Sequence, residues 1–284
     1  MRVADAPIYR YWQALYLAFY SSRLYVDVAK RWRGYGLLYM LLVISIVTIP
    51  MSIRVIYNFN QYFNEQMVEP IEKLPILYVQ NGQVVFDKPM PYLIKNTSGN
   101  VVVIIDTNTT IKEATQLYPD LTVLITKDKL YFKPPKFQLF FTKQKDLKGE
   151  TIYGQSLGQN SNEVFVGKEW IASSSILKLK VAAELLVYPL MVGFVYGVYL
   201  GVMLFLAFIA QLFAIIIFKF KLTFKESCRI FLVAATAQTA LFFIMLAANI
   251  TIPLGGVFYI ALLAIYFNYA VISVKRESNK MVRM

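Results

Sequence analysis

Few side chains in this chain of 284 residues could do chemistry, and their types narrow what that chemistry would be. There is no histidine and one cysteine, Cys228. The commonest metal ligand and general base is therefore missing, and no intramolecular disulfide can form. Asp87, Asp106 and Asp128 follow or lie between predicted strands, where aspartate commonly closes turns. An oxygen cage for a cation needs ligands that converge, and no Asp-rich loop supplies them. Three uncharged amides, Gln211, Gln238 and Asn268, sit within long apolar stretches. Polar residues at such depth mark either a transport path or hydrogen bonds between helices. The missing charge favours the second. Glu184, the sole acid near a span, is expected to be a solvated carboxylate at the interface. Tyr118, Tyr131, Phe132 and Phe137 could stack on sugar rings, although core or hairpin pairing accounts for them more simply. "NTS" and "NTT" fit a glycosylation sequon, a signal of little weight by itself. Cys228 is expected to be a reduced, inert thiol. No Walker, Rossmann or Ser/His/Asp pattern occurs, so the expectation is a non-enzyme with no catalytic, cofactor or metal-binding residue.

The elements that position these residues are apolar. Hydrophobic residues make up 57% of the chain and charged residues 16%, a balance that points to a membrane protein. Apolar runs long enough to cross a hydrocarbon core of about 30 Å define spans at residues 35–56, 181–218, 230–248 and 255–274. Between the first two lies a polar segment, 57–180. The net charge of +12 gathers beside the spans. Residues 1–34, the 219–229 connection and the 275–284 tail carry 14 Lys/Arg against 4 acids. That placement speaks for a membrane surface and against nucleic acid. The N-terminus lacks a cleavage site, so the first span should stay as an anchor.

Residues 181–218 would span about 57 Å as one helix, at about 1.5 Å per residue. As two helices they lack a polar turn, since Pro189 comes too early to leave a full span before it. Lys/Arg enrichment of cytoplasmic loops decides for one crossing: both termini and "KFKLTFKESCR" then lie inside and "ANITIPLGG" outside. The expected fold is thus α-helical, with four transmembrane helices and one extracytoplasmic α/β or mostly β domain between helices 1 and 2. Residues 8–33 suit a helix lying in the inner headgroup region, or one packed on the protein's own cytoplasmic face. In the outer domain, Asn81-Gly82 marks a hairpin between "PILYVQ" and "QVVFD". "PYLIKN" and "VVVIID" predict a second hairpin, "TIKEATQLY" a short helix and "LTVLITKDKLYFK" a third hairpin. "FQLFFT" reads as an edge strand and "DLKGETIYGQSLGQNSNE" as loop.

Gly193, Gly197 and Gly201 recur every four residues in the second span. Small residues at that spacing let helix backbones approach. The Ala234/Ala237/Ala240 region of the third span is the expected partner, with a lipid groove as the alternative.

The stretches "SSRLYVDVAKRWRGYGLLYMLLVISIVTIP", "PILYVQNGQVVFDKPMPYLI", "VVVIIDT" and "LTVLITKDKL" resemble the bacterial membrane family catalogued as domain of unknown function 1189, some members of which are labelled maltodextrin utilisation protein. The helical part is distantly similar to the Yip1-like multispanning group. The resemblance implies an anchor helix, an extracytoplasmic domain and a C-terminal helix group, and carries over no catalytic residue. The expected role is an accessory, sensor or scaffold protein of the bacterial inner membrane, with a protein partner in the membrane or periplasm and the lipid bilayer around it. The competing expectation is a transporter or lipid-handling protein, for which four spans would require a homo-oligomer.

Overall fold

The computed structural model describes residues 6–133, 152–158, 162–250 and 252–282. In chain order the helices before the first strand are α1 (Tyr11–Leu17), α2 (Ser22–Lys30), α3 (Leu37–Val47), α4 (Ile49–Phe63), a π turn at Asn64–Val68, and α5 (Glu69–Glu72). Strands β1 (Leu77–Gln80), β2 (Gln83–Val85), β3 (Tyr92–Lys95) and β4 (Val101–Ile105) follow. Next come α6 (Ile111–Leu117), β5 (Val123–Ile125), β6 (Lys129–Phe132), β7 (Tyr153–Ser156), β8 (Glu163–Phe165) and α7 (Gly167–Ser173). The chain then runs through α8 (Ile176–Phe218), α9 (Phe224–Ala234), α10 (Thr236–Ala247) and α11 (Gly255–Val282). It divides into two compact units, residues 1–54 with 186–284, and residues 55–185.

The first unit is helical. α8 and α11 are each long and apolar enough to cross a membrane, and two bent pairs raise the number of candidate spans to as many as four. Each bent pair overlaps a stretch that reads as one span in the sequence. The first bends by 45° between Val47 and Ile49. Pro50, in the first turn of α4, has no N–H to continue the ladder, and Thr48 turns its hydroxyl back onto the Ile44 carbonyl at 2.8 Å. The helix also runs past position 56, into what reads as the start of a soluble segment.

The second pair bends by 43° at Ala235. It begins at Phe224, so half of the expected 219–229 loop is helix. Thr223 is the N-cap, accepting from Glu226 N, while Glu226 Oε2 accepts from Thr223 N at 2.8 Å. The two residues close a capping box that starts the helix ahead of its apolar run. The 275–284 tail is likewise helical through Val282. α8 is continuous over 43 residues with Pro189 inside it, as the single-crossing reading requires, and starts five residues before position 181. Its packed stripe runs Val192, Met203, Ala207, Ala210 and Ala214, all buried, with Tyr188, Tyr196 and Tyr199 partly buried against the same core.

The second unit is α/β. The hairpins β1–β2, β3–β4 and β5–β6 form as expected, the first turning at Asn81 and Gly82, both at positive φ. β4 and β5 pair in parallel, which obliges the chain to cross over between them, and α6 makes that crossover. Two sheets result, ordered β2-β1-β8 and β3-β4-β5-β6-β7. Successive residues of β4 face opposite sides. Ile104 packs with Ala114, Leu121 and Leu124, while Ile105 packs with Ile125, Leu77 and Val84 of the smaller sheet. Strand β7 lies where loop was expected, and β8 begins at the last residue of that stretch. Both are short and mostly exposed, and pairing with β6 and β1 holds them. The expected strand at 137–142, and Phe137 with it, lies outside the described residues.

Candidate functional site

The densest polar chemistry of the helical unit joins the N-terminal helices to the bundle. Asp27, 1% exposed, accepts from the backbone N–H of Ile8 and Tyr9 at 3.1 Å and from Arg31 Nη1 at 3.3 Å. Arg229, 9% exposed, donates from Nη2 to the Ala29 carbonyl at 2.8 Å and from Nη1 to the Trp32 carbonyl. These carbonyls belong to the C-terminal end of α2, where a cation meets both unpaired acceptors and the negative end of the helix dipole. Leu24, Tyr25, Val28 and Ala29 are buried on the bundle side. α2 is therefore packed on the protein, one of the two readings open for residues 8–33. Neither Asp27 nor Arg229 stood out in the sequence beyond its charge. The signal for Asp27 was its i,i+4 spacing to Arg31.

The three amides of the apolar stretches have different surroundings. Gln238 accepts from Tyr199 OH at 2.7 Å, whose oxygen is also 2.9 Å from Thr239 Oγ1. Gln211 donates to the Leu222 carbonyl at 2.8 Å. Both therefore tie helices or their connections together. Asn268 Oδ1 is buried with no partner among the described residues.

The glycine ladder is not brought against the alanines. A Cβ built on Gly193, Gly197 or Gly201 meets no atom within 4 Å. Ala234 and Ala237 are buried within the helical unit, and Ala240 is half-buried. The residues of α8 that do pack, Val192 to Ala214, lie about a third of a turn away from the ladder at 100° per residue. Within one chain, then, the ladder is not the contact face. Gly197→Leu should leave the melting temperature in detergent unchanged or slightly raised, because leucine favours helix over glycine by up to about 1 kcal/mol. Ala207→Leu, at a fully buried position, should destabilise by about 1–3 kcal/mol. Equal melting shifts would contradict this assignment of faces.

In the second unit Asp106 closes a turn, its Oδ1 accepting from Asn108 N at 2.9 Å and its Oδ2 from Thr109 Oγ1. Lys180 Nζ donates to Asn60 Oδ1 at 2.7 Å and Asn64 Oδ1 at 2.9 Å, fixing the first turns of α8 to the π turn. Glu184, expected to be solvated, has Oε1 buried with no partner among the described residues. Tyr118 and Tyr131 are partly buried and pack against the Ile104 cluster, the core role weighed for them in the sequence. Among the described residues no three His, Cys, Asp or Glu side chains converge on one point. What this unit does present is an apolar row across its smaller sheet. Tyr78 pairs with Val85 on one side and Val164 on the other, and the three are 40%, 39% and 60% exposed.

A family model described as "Protein of unknown function (DUF1189)" matches residues 12–271. No curated protein and no solved structure matches the chain.

Proposed function

The chain belongs to the DUF1189 family, and we propose that it is a non-enzymatic protein of the bacterial inner membrane whose second unit lies outside the cytoplasm and binds a protein partner. The helical unit anchors that binding surface or passes the bound state inward. The observation that carries this reading is the row Val85, Tyr78 and Val164. β-Strands with one covered face normally turn polar residues to water on the other. A contiguous exposed apolar row is where a partner gains most by displacing solvent. The orientation is supported by the basic excess beside the spans, which belongs on the cytoplasmic side.

One experiment tests both parts. In a Cys228→Ala background, Val164→Cys is labelled in intact spheroplasts with a membrane-impermeant, photoactivatable thiol reagent and illuminated. Labelling without permeabilisation and a discrete adduct of higher mass are expected, with no such adduct from Lys95→Cys, which is exposed on β3 of the other sheet. Labelling only after permeabilisation would overturn the orientation. No adduct, or the same adduct from both positions, would overturn the binding surface.

The open ladder favours a second reading, a homo-oligomeric transporter or lipid-handling protein in which Gly193, Gly197 and Gly201 meet another copy. In that case Gly197→Leu would abolish a higher-order species on native electrophoresis while leaving the monomer's melting intact.

A further inference from the structure

We infer that α1 is a membrane-surface element that inserts its aromatic face into an anionic leaflet beside the helical unit. Ala14 and Ala18 turn inward and are buried, while Trp12, Tyr16, Phe19 and Tyr20 point outward, Trp12 at 56% and Tyr20 at 63% exposed. Four aromatic rings thus share one exposed stripe. Their depth is fixed by α11, a candidate span. The Tyr20 carbonyl accepts from Tyr269 OH at 2.8 Å, and the Phe19 ring meets Tyr266 at 6.4 Å. Lys275, at the basic end of α11, lies six residues beyond Tyr269, about 9 Å along the axis at about 1.5 Å per residue. The stripe thus sits just inside the cationic end of a span, the level at which aromatic rings concentrate in membrane proteins. It is also continuous with the exposed flank of α11 formed by Ile265, Tyr269 and Ile272, a face that hydrocarbon covers if α11 spans.

Charge selects the kind of surface. Residues 6–34 carry five cations, Arg10, Arg23, Lys30, Arg31 and Arg33, against the single carboxylate of Asp27. That carboxylate is buried and spent on Arg31 and the backbone of Ile8 and Tyr9. Arg10 precedes α1 and Arg23 opens α2, and both are exposed, placed to reach headgroup phosphates while the rings reach the acyl boundary. Each cation near an anionic surface strengthens the attraction. The two halves of residues 8–33 therefore divide the work: α2 is packed on the bundle, and α1 faces lipid.

Trp12 supplies the probe. The full-length chain carrying Trp32→Phe and Trp170→Phe retains Trp12 as its one tryptophan. The indole N–H of Trp32 has no hydrogen-bond partner among the described residues, so phenylalanine there forfeits none of those bonds. Reconstituted into mixed phosphatidylglycerol and phosphatidylcholine vesicles, Trp12 should be quenched more by lipids brominated near the top of the acyl chain than by lipids brominated near its end. At equal mole fraction, brominated phosphatidylglycerol should quench about twice as strongly as brominated phosphatidylcholine. Arg10→Gln with Arg23→Gln should remove that preference and leave the depth unchanged. If the double phenylalanine variant does not fold, the difference in quenching between the wild-type chain and Trp12→Phe reads the same quantity. Quenching of Trp12 by aqueous iodide and not by lipid bromine would overturn the proposal, as would equal quenching by the two headgroups.

Discussion

Gly167→Ala should unfold the second unit more readily than any other single-methyl addition at a described glycine. A Cβ built on Gly167 would overlap the Ile71 carbonyl oxygen and lie 2.9 Å from its carbon. The atoms in the way are main chain, so no side chain can swing aside, and α7 and α5 must separate by on the order of an ångström in a packed interior. Ile71 and Ile171, both buried, would lose contact as the helices part. We expect a loss of roughly 3 kcal/mol or more, at the upper end of overpacking effects. Gly99→Ala is the control. That glycine closes the β3–β4 turn at φ +83° with nothing within 4 Å of a built Cβ, so alanine there costs about 1–2 kcal/mol of backbone strain alone. Pulse proteolysis of the full chain across a urea series, following cleavage within residues 55–185, measures both. A Gly167→Ala midpoint at or above that of Gly99→Ala would refute the close-approach argument.

Gly167 also illustrates what a sequence conceals. Its neighbours, "FVGKEW", carry no turn signature, and the reason for glycine is a carbonyl nearly a hundred residues earlier. The hairpins could be read because their determinants are local. Asn81-Gly82 takes positive φ within two residues, and the β-branched runs of "VVVIID" and "LTVLIT" belong to the strands themselves. The capping box Thr223 to Glu226 was equally local, but the lysines around it made residues 219–229 read as a cytoplasmic loop. The same charges that argue for the side of the membrane masked a helix start. Strands β7 and β8 were not legible at all: "YGQS" and "EVF" are too short and exposed for alternation to show. The glycine ladder had the opposite fault. Its spacing was plain, but spacing says only that three residues share a face, and the stripe that packs in this chain is the neighbouring one through Met203, Ala207 and Ala214.

Arg229→Ala should destabilise the helical unit by roughly 3–6 kcal/mol, the sum of two hydrogen bonds from a charged donor at roughly 1.5–3 kcal/mol each. The guanidinium is buried, and among the described residues it makes no ion pair. Its charge is balanced by the Ala29 and Trp32 carbonyls at the end of α2. Two effects oppose each other here. Burying a cation is costly, and replacing a buried charge by an apolar side chain of similar volume is often neutral or stabilising. The Nε of Arg229, buried without a partner among the described residues, adds to that cost. Against it stand two helix-terminal carbonyls that would lose their donors in a place water does not reach. The carbonyls are the larger loss, because apolar substitution comes out neutral only when both partners are removed together, and main-chain acceptors cannot be removed. Arg229→Met, which keeps the volume, should therefore still melt below the wild type. Arg229→Lys, which keeps the charge but reaches one carbonyl, should fall between. Melting in a fixed detergent gives the order, and trypsin accessibility after Lys30 and Arg33, both exposed in sequence beside the clamp, reports whether α2 has come away. A methionine variant more stable than the wild type, with α2 still protected, would mean that charge burial outweighs the cap and that Arg229 is held there for something other than stability.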